Sequence, residues 1–426
     1  MVKTTYTQSQ LVRKLGKFEK FFASLITLDR YNSFHTCIKL DNIPTPEQID
    51  QSVLKLLQNL KFLNYSIFED RLIESSFNTK DIFKSLDYAK SLKEFSSEVI
   101  DKVKFEHNSK TPLVQIIQWD QYFFFILDHT LYDGRCAIEL SKQFVEVLNS
   151  KEGDIFDDIF PLEELLPEIK KTQNESVEEQ ENLSTLWRLN HTLEEDPKHY
   201  FRIIKLPNSA LRLKQEIKSL KSSVSIALAS LFFLSQIKSY PNIFHQSSNS
   251  FGLAMGIDTR SSLSQPAKFG SNSIGYYGEF RFPQNEEEWD VIRKYSTGFI
   301  RKVKSKQVLN PFYDFVTEVE SLEVWNKLNR DTDKEKGLGR SDLQFTFIRE
   351  ADYYLLDHER YRVVDAYFGQ SSHNLTFAFA LNLTVYEDDL NFVFTMVKNQ
   401  QITERMFDKI IDKFLKSLPL TDRSDS

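Results

Sequence analysis

Cysteine is nearly absent from this chain: its 426 residues contain two, Cys37 and Cys136. Two thiols form no disulfide framework and match no metal-ligand spacing, so reduced thiols and no metal site are expected. Basic clustering is missing as well. The net charge is −7 with a pI near 5.8, which gives no electrostatic footprint for nucleic acid. The lysines are spread along the chain, so a polybasic membrane anchor is not expected either. No apolar run approaches the roughly 20 residues that a membrane-spanning helix needs. Met1 to Gln10 is polar and Leu11 to Leu28 is interrupted by charges, so no signal peptide is expected. Asn-x-Ser/Thr triplets such as Asn64-Tyr65-Ser66 and Asn382-Leu383-Thr384 then read as chance.

Core material is plentiful. Hydrophobic residues make up 41% and phenylalanine alone contributes 36, which argues against disorder. The length exceeds one ordinary core, so two lobes are expected. Leu11, Leu15, Phe18, Phe22 and Leu25 recur at helical spacing and predict an amphipathic helix over 9–28. Residues 34–40 predict a strand, and Pro44-Thr45-Pro46-Glu47 opens a helix over 47–59. Two strands joined at Trp119-Asp120-Gln121 are expected within 113–128. Later strands are expected at 201–206, 249–257, 343–349, 375–384 and 390–397, the last two joined as a hairpin by Tyr386-Glu387-Asp388-Asp389. A buried helix is expected over 223–239 and an amphipathic one over 405–418. Strand–helix mixing with late hairpins predicts an α/β (α+β) protein. Residues 170–182 are polar and acidic with nothing to bury. An exposed acidic crossover at 166–195 would therefore separate an amino-terminal lobe, 1–165, from a carboxyl-terminal lobe, 196–426.

The segment Tyr122-Phe123-Phe124-Phe125-Ile126-Leu127-Asp128-His129-Thr130-Leu131-Tyr132-Asp133-Gly134 carries the chemistry. It reads as a buried strand that ends at a histidine, followed by a loop and a helix over 135–148. A histidine at a strand exit presents a general base to a cleft, and its unperturbed pKa lies close to neutral. A lone histidine at a strand end would more often be chance; the His129-x-x-x-Asp133-Gly134 spacing and its flanking elements favour the base. Gly134 fits a tight turn or a close approach to ligand. Cys136 is expected to be helix packing rather than a nucleophile.

This constellation resembles the H-x-x-x-D-G acyltransferase superfamily, which includes chloramphenicol acetyltransferase, plant BAHD enzymes and the condensation domains of peptide synthetases. Within it the chain is most similar to the fungal alcohol acetyltransferases. The amino-terminal run Arg13-Lys14-Leu15-Gly16-Lys17-Phe18-Glu19 to Phe22, with Tyr31-Asn32-Ser33-Phe34, resembles that family's opening motif. Asp258-Thr259-Arg260 and Asn272-Ser273-Ile274-Gly275-Tyr276-Tyr277-Gly278 resemble two later segments. The resemblance implies two chloramphenicol-acetyltransferase-like lobes with the catalytic histidine in a tunnel between them. It also implies that Asp133 is structural, turned away from His129 and paired with an arginine of the second lobe, here Arg260.

Acyl transfer to a neutral alcohol needs a base, and His129 would take the hydroxyl proton and return it to the departing thiolate, with no acyl-enzyme. Ser341 is a candidate oxyanion donor, with an ordinary loop serine as the competing reading. Tyr132, Asn272, Tyr276 and His373 are candidates for lining the tunnel, although packing, turn or solvent roles explain them as well. The plant Asp-Phe-Gly-Trp-Gly signature is absent, with Phe368-Gly369-Gln370 a faint echo. The leading expectation is therefore an acetyl-CoA-dependent alcohol O-acetyltransferase that forms esters from small or medium-chain alcohols and uses no metal. Rivals are an N-acetyltransferase for a sphingoid-like or xenobiotic amine, a free-standing condensation-type domain, and a non-catalytic binding module of the same fold. The expected location is cytoplasmic. Peripheral attachment to lipid droplets or the endoplasmic reticulum through the terminal amphipathic helices is the minority reading. Acyl chain length, physiological acceptor and oligomeric state are not legible.

Overall fold

A computed structural model of the chain describes residues 10–27, 33–86, 103–156, 158–166, 199–241, 250–313, 341–348, 360–370, 377–398 and 402–420, with residues 91, 92, 94, 96, 99, 321, 323 and 351 besides. The crossover expected at 166–195 lies, apart from Leu166, outside the described residues. A small three-stranded sheet pairs β1 (Leu11–Lys14) with β4 (Arg71–Glu74) and β4 with β3 (Tyr65–Phe68). A five-stranded sheet follows the order β12 (Val363–Gln370), β2 (Ser33–Leu40), β7 (Tyr122–Asp128), β6 (Val114–Trp119), β5 (Phe83–Ser85). A six-stranded sheet follows the order β10 (Ser273–Arg281), β9 (Ser250–Asp258), β11 (Ser341–Ile348), β13 (Phe377–Tyr386), β14 (Asp389–Val397), β8 (His199–Leu206). The described helices of ten or more residues are α1 (Lys17–Thr27), α2 (Pro46–Asn59), α3 (Gly134–Leu148), α4 (Ala210–Ser219), α5 (Val224–Ser239), α6 (Glu288–Lys304) and α7 (Glu404–Ser417). The fold is mixed α/β with two lobes, each built on one large sheet.

The helix expected over 9–28 is split. Residues 11–14 form β1 instead, because the β3–β4 hairpin offers them a free edge, and Leu15 N–H is held by Asp70 O at 2.8 Å. Glu19 then starts α1: its carboxylate accepts the Gly16 N–H at 2.7 Å and grips both terminal nitrogens of Arg13 at 2.7 Å. Gly16 admits no larger residue, since a Cβ there would come within 2.5 Å of Pro161 and Glu163. The Arg-x-Leu-Gly-x-x-Glu pattern is thus a strand-to-helix joint.

The expected strands and helices elsewhere form close to their predicted bounds. Thr45 caps α2 in a reciprocal capping box with Gln48, and Ser223 caps α5. The apolar run of β7 is explained by burial on both faces. Phe123, Phe125 and Leu127 pack with Phe144 of α3, whereas Phe124 and Ile126 meet Phe201 and Val393 of the other lobe. In the six-stranded sheet the two-residue period separates the faces. Phe379, Leu381, Leu383, Phe392, Phe394 and Met396 pack under α5 and α7. Asn382, Thr384, Asn391 and Thr395 are buried on the opposite face.

Strand β12 was not legible in the sequence, and it joins the lobes. It belongs to the carboxyl-terminal half yet pairs antiparallel with β2 of the first sheet. Its outer edge would leave backbone groups unpaired, and second-lobe side chains satisfy them. Thr384 Oγ1 accepts the Phe368 N–H at 2.9 Å, Asn391 Nδ2 donates to Ala366 O at 2.8 Å, and Tyr386 donates to Val363 O.

The apolar face of α7 belongs to the core: Phe407, Ile410, Ile411 and Phe414 are at most 2% exposed. Among the described residues no single helix is long and apolar enough to cross a membrane. Phe414→Ala should lower stability by about 3–5 kcal/mol, read as a drop in Tm. Removal of residues 404–426 should leave insoluble, inactive protein rather than a soluble active enzyme, checked by fractionation and turnover.

Candidate active site

His129 leaves the sheet directly after β7, whose last residue, Asp128, pairs with Ser33 of β2 and gives its N–H to Leu113 O at 3.0 Å. The chain turns at once, and Tyr132 N–H returns to Asp128 O at 3.3 Å. Within this turn His129 Nδ1 lies 2.9 Å from Tyr132 O. A carbonyl only accepts, so Nδ1 carries the proton and Nε2 of the neutral ring keeps its lone pair. Phe22 of α1 stacks on the imidazole at 4.1 Å between centroids and 15° between planes, and Phe34 of β2 meets it edge-on at 5.1 Å. Burial lowers the His129 pKa from its ordinary 6.5, against the opposing pull of the Asp133 charge and the bond to Tyr132 O. At neutral pH the ring is a free base.

Asp133 stands at the amino end of α3 and is fully buried. Its Oδ1 accepts the Cys136 N–H at 3.1 Å, which caps the helix, and Arg260 Nη2 at 3.0 Å. Its Oδ2 accepts Arg260 Nη1, Asn272 N–H and Ser273 Oγ, each at 2.9 Å. Burial pushes this carboxyl up, but the Arg260 charge and the converging donors outweigh it and hold the pKa below the ordinary carboxylate value. Both oxygens are engaged, and no described contact runs from Asp133 to His129. Asp133 therefore does not orient the ring as a triad acid would. Arg260 is itself fixed by Asp258 Oδ1 at 3.1 Å, Ala267 O at 3.0 Å and Lys268 O at 3.1 Å. The ion pair crosses between the lobes.

Gly134 has a defined steric reason. A Cβ there would lie 2.8 Å from the Phe368 ring, which β12 brings against the start of α3. Phe368 is the residue of the faint Phe-Gly echo, and it packs against the turn that carries His129. Cys136 donates its thiol to Gly270 O at 3.0 Å, and burial pushes its pKa well up. It is packing, as expected.

The remaining candidates separate. Tyr132 does not line an opening: its ring is fully buried and its hydroxyl donates to Phe62 O at 3.1 Å, so its part in the site is its carbonyl. Asn272 is also fully buried, with Nδ2 donating to Phe269 O at 2.9 Å, and it serves the site through its backbone N–H to Asp133. Tyr276 packs against two clusters: its ring meets Phe299 of α6 at 5.1 Å, and its side chain also borders the cluster that holds Phe18 and Phe22. Those three are placed by packing, which their sequence setting did not reveal. Ser341 is the first residue of β11, paired with Phe377, and only its backbone is described. His373 lies outside the described residues. Sequence reasoning missed Phe22, Ser273 and Phe368. All three stood in quoted segments: Ser273 beside Asn272, Phe22 at the end of the amino-terminal run and Phe368 in the Phe-Gly echo. A cavity of about 830 Å³ opens at the β5–β6 edge, and none of its lining residues belongs to this cluster. Among the described residues no group of three or more His, Cys, Asp or Glu could hold a metal ion.

Comparison with known proteins gives the following. The alcohol acetyltransferase family matches residues 180–418, more than half of the chain. No curated protein sequence matches. Among solved structures the chain is similar to the trichothecene 15-O-acetyltransferase TRI3 from Fusarium sporotrichioides, at 12% identity and a TM-score of 0.65, covering 97% of each chain. It is also similar to polyketide synthase associated protein 5 from Mycobacterium tuberculosis, at 11% identity and a TM-score of 0.61, covering 96% of this chain and 98% of the other. A third is the epimerization domain from the third module of tyrocidine synthetase B, at 10% identity and a TM-score of 0.58, covering 97% and 98%. At these identities the likeness shows the fold, the two-lobed architecture of chloramphenicol acetyltransferase and condensation domains.

The geometry makes two expectations for stability. Asp133→Asn and Arg260→Ala each leave a buried group without its partner and should each cost about 3–5 kcal/mol. The double variant should lose less than the sum, by a coupling of about 0.5–3 kcal/mol in a double-mutant cycle of denaturant unfolding. Gly134→Ala should cost about 1–3 kcal/mol through its overlap with Phe368, and Phe368→Leu should restore part of that Tm.

Proposed function

This chain belongs to the alcohol acetyltransferase family, and we propose that it transfers acetyl from acetyl-CoA to the hydroxyl of a small or medium-chain alcohol, with His129 as general base. The observation that carries this reading is the approach of His129 Nδ1 to the Tyr132 carbonyl, from which the tautomer is assigned. Its Nδ1–H is committed to Tyr132 O at 2.9 Å, so the basic Nε2 is the free nitrogen. In this reading Nε2 accepts the alcohol proton as the oxygen attacks the thioester carbonyl carbon. Collapse breaks the carbon–sulfur bond, and the proton passes from the imidazolium to the thiolate. The products are an acetate ester and free CoA, with no acyl-enzyme and no metal required. The stacked Phe22 and edge-on Phe34 shield the ring from water, which favours the neutral base before attack. Asp133 and Arg260 act on the backbone of the turn rather than on the reacting atoms. A cytoplasmic site of action is part of the reading. The buried apolar face of α7 is unavailable to lipid, so any attachment to droplets would use another surface.

The test is acetyl-CoA turnover followed by thiol release, with a panel of alcohols and amines. Alcohol use without amine use supports the proposal. Amine preference replaces it with N-acetylation, and no turnover with any acceptor leaves a binding module. His129→Ala should lower turnover by roughly 10²–10⁴-fold while acetyl-CoA still binds; near-normal turnover would remove His129 from the mechanism.

The pH profile follows from the direction of the His129 shift. A folded-state pKa below 6.5 means that the base form is already populated at pH 7. Between pH 7 and 8, kcat/KM should therefore be flat, and it should fall on a one-proton limb only below pH 6.5. The stability linkage has the same sign: the unfolded chain takes up the proton first, so stability declines as pH falls through 6.5. Steady-state rates in constant-ionic-strength buffers check the limb, and a limb midpoint above 6.5 would contradict the assignment.

A further inference from the structure

We propose that His107 and Asp128 form a second positioning device, one that holds the turn presenting His129 and so sets the direction of the base. The proposal rests on the reading of His129 as the base. Asp128 is the last residue of β7 and its side chain is fully buried at the end of an otherwise apolar strand. A carboxylate in that position is unfavourable unless its oxygens receive hydrogen bonds. Oδ1 accepts the Thr130 N–H at 2.8 Å, and Oδ2 lies 2.9 Å from His107 Nε2. A carboxylate oxygen is an acceptor, so the contact assigns His107 Nε2 as the donor.

The backbone of Asp128 is tied on both sides. Its N–H reaches Leu113 O and its carbonyl accepts the Tyr132 N–H. Tyr132 O in turn receives Nδ1–H of His129. A continuous line of contacts therefore runs from His107 through Asp128 and the 128–132 turn to the imidazole, without passing through Asp133 or Arg260. His107 has a firm mounting of its own. The next residue, Asn108, adopts a left-handed φ of 63°, gives its N–H to Ile67 O at 2.8 Å and accepts the Glu69 N–H on its side-chain oxygen at 2.6 Å. The frame is thus the β3–β4 hairpin. The His107 side chain is 6% exposed, so the pair works out of water. The two devices differ in origin: Asp133 needs the second lobe, whereas His107 and Asp128 both belong to the first. The His107–Asp128 pair thus holds the start of the turn from within the first lobe, beside the inter-lobe clamp on Asp133.

The experiment compares His107→Ala, His107→Gln and Asp128→Asn with the intact chain, using acetyl-CoA and an accepted alcohol. His107→Ala should lower kcat by roughly 10–100-fold, the scale of a base displaced by about 1 Å, with the acetyl-CoA KM within about twofold. His107→Gln keeps an amide donor and should recover most of the rate. Long-range proton–nitrogen spectra of ¹⁵N-histidine-labelled protein supply a readout independent of turnover. His129 should be the Nδ1–H tautomer in the intact chain and a mixture in His107→Ala and Asp128→Asn. If His107→Ala fails to fold, the spectra of Asp128→Asn and the intact chain decide instead. An unchanged His129 tautomer in the folded variants would overturn the proposal, whether or not kcat falls. Absence of His129-dependent turnover in the intact chain would defeat the catalytic reading instead, and the spectra would still judge the clamp.

Discussion

The carboxylate of Asp133 is the point on which the two lobes and the turn that carries His129 depend together. It caps α3 from inside the first lobe and receives Arg260, the Asn272 N–H and the Ser273 hydroxyl from the second. Desolvating a carboxylate and a guanidinium costs several kcal/mol each, and their mutual attraction offsets this only with good geometry and additional donors. The bidentate contact supplies that geometry, and the capping bond and the two second-lobe donors occupy the remaining acceptor sites. Lobe docking, helix initiation and the shape of the turn are therefore one event.

The charge of Asp133 also reaches the His129 ring. Alone, the negative charge of Asp133 would favour an imidazolium at His129, and that pull is present. Burial of the ring outweighs that pull and holds the His129 pKa below its ordinary value.

The seam between the lobes is built on exchange rather than on surface contact. Strand β12 crosses to the first sheet, and polar residues of β13 and β14 bond to its free edge. Phe368 on that strand then closes the space beside Gly134. The stability of the seam and the shape of the turn that carries His129 are linked through one side chain.

Periodicity made most of the fold legible, because a two-residue or 3.6-residue pattern records burial directly. The β7 run, the helix after Gly134, the apolar face of α7 and the His129–Asp133–Gly134 spacing were all visible in the sequence, the pairing of Asp133 with Arg260 only through family resemblance. What remained hidden needed a partner distant in the chain. Residues 11–14 continue a helical pattern, yet the edge of a hairpin sixty residues away draws them into a strand. Strand β12 has buried residues on both faces and no clean alternation, so nothing local marks it. Tyr132 and Asn272 sit in the right segments but serve through backbone atoms, a role that side-chain chemistry cannot announce. Phe22 stacks on His129 and His107 bonds to Asp128 across gaps of more than twenty residues. The sequence by itself determined which groups could do the chemistry; only tertiary packing decided which of them face the base, because burial and hydrogen-bond geometry are properties of the assembled lobes.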